Sequence, residues 1–274
     1  MKTPTNAKRL RNAGELQTSR RDDKDFAGTL AKGLMILEAF SAEARPLANS
    51  ELALRLGLPR PTVSRLCKTL LQLGYLDHDD RIDRYFIGPA TVASGYPYVV
   101  NTPLLIHARE SMQSLADEVE GAVSIGVPLL LDVVYIETSV HRGGLIARPA
   151  VGAMRGIGVS AMGRSWLHTL ALSQRNAVIK RYRTERPDEY ARGRAGLEES
   201  LANYVERGFA INLGDAGLGM LGVGVASRVT HCGRTLLFNC AIPGTRARAS
   251  DLLRHIGPRL VEVVRAAERI GART

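Results

Sequence analysis

Residues 47–73 read LANSELALRLGLPRPTVSRLCKTLLQL, and their spacing predicts two short amphipathic helices hinged at Gly57. The first helix starts at Asn49 or Ser50, both suited to capping a helix N-terminus, and buries Leu52, Ala53 and Leu56. Gly57 supplies the turn that ends it. The second opens near Pro61, whose fixed φ suits a first turn, and repeats Val63, Leu66, Leu70 and Leu73 at intervals of three and four. Rotation by about 100° per residue puts Ser64, Arg65, Lys68 and Gln72 opposite that stripe, flanked by Arg60, Thr62 and Thr69. That face carries cations and hydrogen-bonding groups and no carboxylate.

Any exposed helix face can hold Lys and Arg merely for solvation. Here the hinge, the preceding helix and the acid-free face occur together, which favours a helix-turn-helix whose second helix enters the major groove. In that groove Arg and Lys address guanine edges, Gln addresses adenine, and Ser, Thr and the helix N-terminus hold phosphates. The predicted partner is double-stranded DNA, and the predicted contact set is Arg60, Pro61, Thr62, Ser64, Arg65, Lys68, Thr69 and Gln72. Upstream, TLAKGLMILEAF places Leu30, Leu34, Leu37 and Phe40 at core spacing for a third helix. Downstream, YLDHDDRIDRYFIG alternates apolar and polar residues around an Asp-rich turn, a β-hairpin that would form the wing of a winged helix. Asp77, Asp79, Asp80 and Asp83 would sit badly on phosphate, which leaves Arg81 and Arg84 as the wing contacts.

The 274 residues provide for two cores, and the net charge is +10. Charge alone decides little, because Lys and Arg nearly balance Asp and Glu between residues 24 and 88. Residues 1–23 hold Lys2, Lys8, Arg9, Arg11, Arg20 and Arg21 among few apolar residues and are expected to be a disordered basic arm. Residues 24–88 form the winged helix, and residues 89–103, where Pro97 would kink any helix, form a linker. Residues 104–274 form a second domain. The three cysteines, Cys67, Cys232 and Cys240, show no metal-ligand or disulfide spacing, consistent with a reducing cytoplasm. The apolar run from Val123 to Ile136 is broken by Gly126, Pro128 and Asp132, so no membrane partner is expected.

In the second domain a helix carries Leu104, Leu105, Ala108, Met112, Leu115 and Val119 on its core face. GAVSIGVPLLLDVVYIETSV then reads as two strands joined at Pro128, SAMGRSWLHTLAL and LEESLANYVERG as helices, and MLGVGVAS and RTLLFNCAIP as a hairpin. A final helix from about Ser250 buries Leu253, Ile256, Leu260, Val263 and Ala267. The expected class is α+β, an antiparallel sheet flanked by helices.

Two signals mislead. GLGMLG, Gly217 to Gly222, has the glycine spacing of a dinucleotide site, but a strand-like run follows it and no acid appears between Asp215 and Asp251. GVSAMG lacks the G-x-S-x-G spacing of a nucleophile elbow, and Ser160 reads better as a helix cap. Cofactors, metal ligands and catalytic residues are therefore assigned as none, although His141 and His168 could meet in space.

With both halves in view, the chain resembles the IclR family of bacterial transcriptional regulators over roughly residues 27 to 270. The carriers are TLAKGLMILEAF, ELALRLGLPRPTVSRLCKTLLQLGYL, DVVYIE, SAMGR, RGFAI, GLGMLGVGV and GRTLLFNCAIPG, in order. The resemblance implies a winged helix joined by a linker helix to a GAF-like effector-binding domain, working as a homodimer or dimer of dimers on a near-palindromic operator. It also implies control of a catabolic operon, with RNA polymerase as a further partner. One departure stands out: family members usually carry an acidic run where this chain reads GFAINLGDAGL, with Asn212 in place of a common carboxylate.

Ser160 and the backbone N–H groups of Ala161 and Met162 form an anion site at a helix N-terminus. Met154, Arg155 and Gly156 precede it, Arg155 suited to a carboxylate and Met154 to an apolar body. Met220 on one strand, and Asn239 and Ala241 on its neighbour, match the pocket strands of the resembled family. The expected effector is a small organic acid, aromatic for many catabolic regulators, bound among Met154, Arg155, Gly156, Ser160, Ala161, Met220, Asn239 and Ala241. The competing reading is an enzyme or catalytic sensor in the second domain, with the winged helix as a docking module.

Overall fold

The structure, a computed structural model, describes residues 25–41, 45–143 and 151–271, which divide between Tyr98 and Val99 into two compact units. The basic arm expected over residues 1–23 lies outside the described residues.

The first unit contains helices α1 (Gly28–Ser41), α2 (Asn49–Leu56) and α3 (Arg60–Gln72), then the hairpin strands β1 (Leu76–Asp79) and β2 (Arg84–Ile87). α2 ends at Gly57 in the left-handed region, φ 63° and ψ 30°, as the sequence required. Its cap residue is Ala48, not Asn49 or Ser50. Alanine offers no acceptor, and the Glu51 carboxylate compensates by taking the Ala48 backbone N–H at 2.9 Å. β1 pairs with β2 from Leu76↔Ile87 to Asp79↔Arg84, and Leu47 bridges to Tyr85 as a short third partner.

Two core expectations need correction. On α1 the buried residues are Met35, Ile36, Ala39 and Phe40, whereas Leu30 and Leu34 are 63% and 52% exposed and Leu37 is partly buried. This helix is apolar on more than one side, so periodicity offers two stripes, and packing against α2 and α3 selects the one through Ile36. On α3, Val63 and Leu66 are buried as expected, Cys67 joins them, and Leu70 packs partly. Leu73 is 61% exposed because the helix has already ended at Gln72.

A further helix, α4 (Pro89–Val100), runs through Pro97, where the sequence suggested a kink, and buries none of its side chains. The second unit follows with α5 (Pro103–Glu118), β3 (Ala122–Leu129), β4 (Asp132–Val140), β5 (Met154–Gly156) and α6 (Ala161–Thr169). Next come α7 (Leu172–Glu185), α8 (Pro187–Arg207), β6 (Ala210–Asn212), β7 (Met220–His231) and β8 (Arg234–Pro243). The chain ends through α9 (Ala249–Asp251), a π-helical turn (Leu252–Ile256) and α10 (Gly257–Gly271). The strands form one antiparallel sheet in the order β5-β4-β3-β8-β7-β6. The class is α+β.

Strand β3 does not stop at Pro128. It runs to Leu129 and turns at Leu130, whose φ is +56°. Proline is tolerated there because pairing with β8 ends at Gly126, so no neighbour on that side needs its missing N–H. In the final helix Leu252 is buried where Leu253 was expected, because the π turn shifts the phase before Ile256, Leu260, Val263 and Ala267. α7 and the first turns of α8 were not foreseen. Of the α7 side chains only Tyr182 is buried, so the segment carries little apolar periodicity.

Val123, Ile125, Val223, Val225, Phe238 and Cys240 share one face of the sheet and are buried, with α5 and α10 packed alongside. The alternate positions face α6. Gly224 exists for that contact, since a Cβ there would stand 2.2 Å from backbone atoms of Ala161.

Candidate functional site

On α3, Arg60, Pro61, Ser64, Arg65, Lys68, Thr69 and Gln72 are exposed and Thr62 is half-buried. The fold brings all eight onto one surface. Thr69 donates its hydroxyl to the Arg65 carbonyl at 3.2 Å, and among the described residues no carboxylate pairs with Arg60, Arg65 or Lys68. Among the described residues these three cations thus stand without counter-charges, so their field is directed at solvent or a polyanion.

The wing behaves differently. Arg84 reaches back to the Glu51 carboxylate and to the Pro46 carbonyl, which bolts β2 to the start of α2. Glu51 also accepts from Arg45 at 2.9 Å, and these bonds, the Ala48 N–H first, hold its carboxyl down at about 2. Arg81 is 88% exposed but forks onto Asp79, with bonds of 3.1 Å and 2.8 Å. His78 stands between Asp80 and Asp83, at 2.8 Å and 3.2 Å. Both wing arginines are therefore engaged by acids of their own domain, whereas among the described residues Arg60, Arg65 and Lys68 of α3 are not.

In the second unit, Arg155, Ser160, Ala161, Met220, Asn239 and Ala241 all line one cavity of about 240 Å³. Ser160 caps α6 and accepts the Gly163 N–H at 3.1 Å. Met154 and Gly156, also expected there, do not line it. Both lie on β5 beside Arg155, and alternation along a strand sends them to the opposite face. A Cβ on Gly156 would overlap the Glu189 carboxylate, so this glycine makes room for a buried cluster instead. In that cluster Tyr182 donates to Glu189 at 2.9 Å, and Arg186 forks onto Asp132 at 2.8 Å and 2.7 Å.

The floor of the cavity is small-residue sheet. Ala122 on β3 pairs with Ala241 on β8, which pairs with Gly222 on β7. Tyr135 closes one side, its hydroxyl pushed up by burial and pulled the other way by Arg155. Val159, Asn212, Ala216, Leu218 and Leu221 complete the wall. Asn212 accepts the N–H groups of Gly214 and Asp215 through its side chain, at 3.1 Å and 2.9 Å. Beneath the α6 N-terminus, Arg164 is 1% exposed and donates to the carbonyls of Gly158, Ile211 and Gly193 and to the Asp215 carboxylate. The cavity therefore combines an arginine, a capped helix N-terminus, two amides and an apolar floor, a lining suited to a small anion with an apolar body.

The IclR helix-turn-helix domain family matches residues 29–80, and the bacterial transcriptional regulator IclR C-terminal family matches residues 96–270. The chain belongs to the IclR family. It is 29% identical over 240 residues to the HTH-type transcriptional regulator TsaQ1/TsaQ2 of Comamonas testosteroni, covering 86% of this chain and 85% of that one. An IclR family transcriptional regulator from Brucella abortus superimposes with a TM-score of 0.79 at 30% identity, covering 92% and 95%. An IclR homolog from Microbacterium hydrocarbonoxydans, solved with 4-hydroxybenzoate, shares the fold at a TM-score of 0.64 and 18% identity, covering 87% and 99%.

Within this IclR-family chain the glycine-rich GLGMLG segment leads into strand β7, not a helix, so the structural context of a dinucleotide fingerprint is absent. His141 stands beside Asp117 at 3.3 Å and His168 stacks on Tyr204 at 4.3 Å, each with its own neighbour. Among the described residues no helix is long and apolar enough to cross a membrane. Sequence reasoning missed Tyr135, Ala122, Val159, Ala216, Leu218 and Leu221 as lining residues. The first two follow once β3 and β4 are placed beside β8, because cross-strand register then puts them on the same face.

Proposed function

We propose that this IclR-family regulator reads duplex DNA with α3 of paired copies and changes its DNA affinity when a small organic acid occupies the 240 Å³ cavity. The uncompensated cationic face of α3 carries the DNA reading. The ligand reading draws on the Arg155 and Ser160 end of the cavity, where a carboxylate gains a guanidinium and helix N–H groups, and on the apolar sheet floor, which suits an aromatic ring. The Microbacterium complex with 4-hydroxybenzoate supplies a probe of that chemistry.

A second copy of the chain covers the exposed apolar residues of the first unit. Leu30 and Leu34 on α1 and Val92 and Tyr96 on α4 are large and exposed. Two heads related by a two-fold axis then meet two half-sites of an operator, and the ligand acts by favouring one spacing of the heads. Such coupling is worth about 1–3 kcal/mol in typical systems. Whether occupancy turns a catabolic operon on or off depends on where the operator lies relative to the RNA polymerase site. The protein works in the cytoplasm, where its DNA is.

Fluorescence anisotropy on labelled DNA from upstream of its own gene, with excess scrambled competitor, tests this reading. Arg65→Ala is expected to cost about 1–3 kcal/mol and relax sequence preference, and Lys68→Ala to weaken all DNA and reduce the salt slope by about one per head. Normal operator binding by both variants overturns the assignment of α3. No response of operator affinity to 4-hydroxybenzoate or benzoate overturns the acid.

A further inference from the structure

The wall of the ligand cavity includes a loop, residues 213–219, that supplies Ala216 and Leu218 to the lining while Leu213 and Leu218 remain exposed. Gly214, Gly217 and Gly219 have φ of +103°, +71° and +65°, and a Cβ at any of them would meet nothing within 4 Å. The loop thus has three pivots with open space around them. Its near end is tied to β6, where the Asn212 side chain accepts the Gly214 and Asp215 N–H groups, and within the loop Gly217 donates to the Gly214 carbonyl at 2.9 Å. The loop's far end is held by the Gly244 N–H on the Gly219 carbonyl at 2.8 Å, and among the described residues the one hydrogen bond from a side chain of this loop to another element joins Asp215 to Arg164 of α6.

The two partners are unequal. Arg164 is buried and keeps the carbonyls of Gly158, Ile211 and Gly193 whether or not Asp215 is present, so release of the carboxylate does not orphan the guanidinium. Asp215, on a glycine-pivoted loop, can return to water. α8 makes space for the pair: a Cβ on Gly196 would stand 2.6 Å and 2.8 Å from the two Arg164 terminal nitrogens and 2.8 Å from the Asp215 carboxylate. Glycine weakens a helix interior, and here it vacates the place where the ion pair sits. Arg164 also lies one turn beyond Ser160, so the latch and the anion end of the cavity share the first turn of α6.

We propose that Asp215 is a positioning residue that latches loop 213–219 shut against Arg164, and that its release gates passage of ligand into and out of the cavity. The gate rests on the reading of that cavity as a ligand site. Loss of one charge-assisted bond should raise the open population by about ten- to a hundredfold.

Hydrogen exchange on the full chain tests the latch without ligand, comparing the native protein with Asp215→Ala, which removes the carboxylate, and Gly196→Ala, which wedges the pair apart. Exchange across residues 213–219 should quicken at least tenfold in both variants while α5 and β3 are unchanged. Stopped-flow mixing with 4-hydroxybenzoate, read by Trp166 on α6, the single tryptophan, should show association and dissociation rates rising together. Unchanged loop exchange in both variants, or loosening spread over the whole unit, overturns the latch, as does faster dissociation with unchanged association. If the loop loosens in both variants but isothermal titration of the native protein shows no 4-hydroxybenzoate binding, the latch stands and the acid reading fails.

Discussion

Gly222→Ala separates ligand binding from folding at a single methyl group. Gly222 lies within β7, paired with Ala241 and Asn212, and has no positive φ, so alanine suits its backbone. The new Cβ would stand 3.3 Å from the Asn239 side-chain oxygen and 3.5 Å from the Cys240 carbonyl, a tight fit that asks the Asn239 amide to give by a few tenths of an ångström. Removing a glycine from a compatible site stabilises by about 0.4–1 kcal/mol through the unfolded chain, so overall stability should hold or rise slightly. The methyl projects from the cavity floor, and one methylene of misfit in an apolar pocket costs about 1–3 kcal/mol of affinity, roughly 10- to 200-fold. Isothermal titration with 4-hydroxybenzoate beside a denaturant melt reads both effects. Gly224→Ala, two residues along the same face, is the control: its Cβ would meet Ala161 backbone at 2.2 Å, so that variant should lose stability outright. Unchanged affinity in Gly222→Ala at native stability would mean that no ligand rests on the Gly222–Ala241 floor, and the site would have to be sought elsewhere.

Other outcomes follow from the same geometry. Glu51→Gln should cost the winged helix about 1 kcal/mol by weakening the α2 cap and the tie to Arg84. Because the Glu51 carboxyl is held down at about 2, its contribution is complete above the ordinary carboxylate range and fades as pH falls from about 4.5 toward 2. The variant's stability profile should therefore be flatter over that acid window, and parallel profiles would refute the assignment. Burial pushes the Cys67 and Cys240 thiols up to about 12, so iodoacetamide on native protein at pH 8 should label Cys232 alone, as mass spectrometry would show. Asp132→Ala leaves Arg186 buried without its forked partner and should destabilise the second unit by about 3–5 kcal/mol in a urea melt.

What the sequence by itself determined was local. The Gly57 hinge, the acid-free face of α3, the Asp-rich wing turn and the Ser160 cap each depend on residues within a turn or two of one another, so spacing alone exposes them. Of the eight expected cavity residues six line the cavity: Ser160 and Ala161 followed from the helix start and Arg155 from the loop before it, whereas Met220, Asn239 and Ala241 followed from the family resemblance. What only the tertiary structure decided involved a choice between locally equal options or a contact distant along the chain. Periodicity allowed either apolar side of α1 to face inward, and packing on α2 and α3 chose Ile36 over Leu34. Composition offered Arg84 to DNA, and only the fold showed that one of its guanidinium nitrogens meets Glu51 and the Pro46 carbonyl. Tyr135 and Ala122 became visible as lining only when the sheet order β4-β3-β8 set its register, and the Arg164–Asp215 ion pair only when α6 and the loop after β6 came together, because contacts distant along the chain leave no trace in the spacing of a single segment.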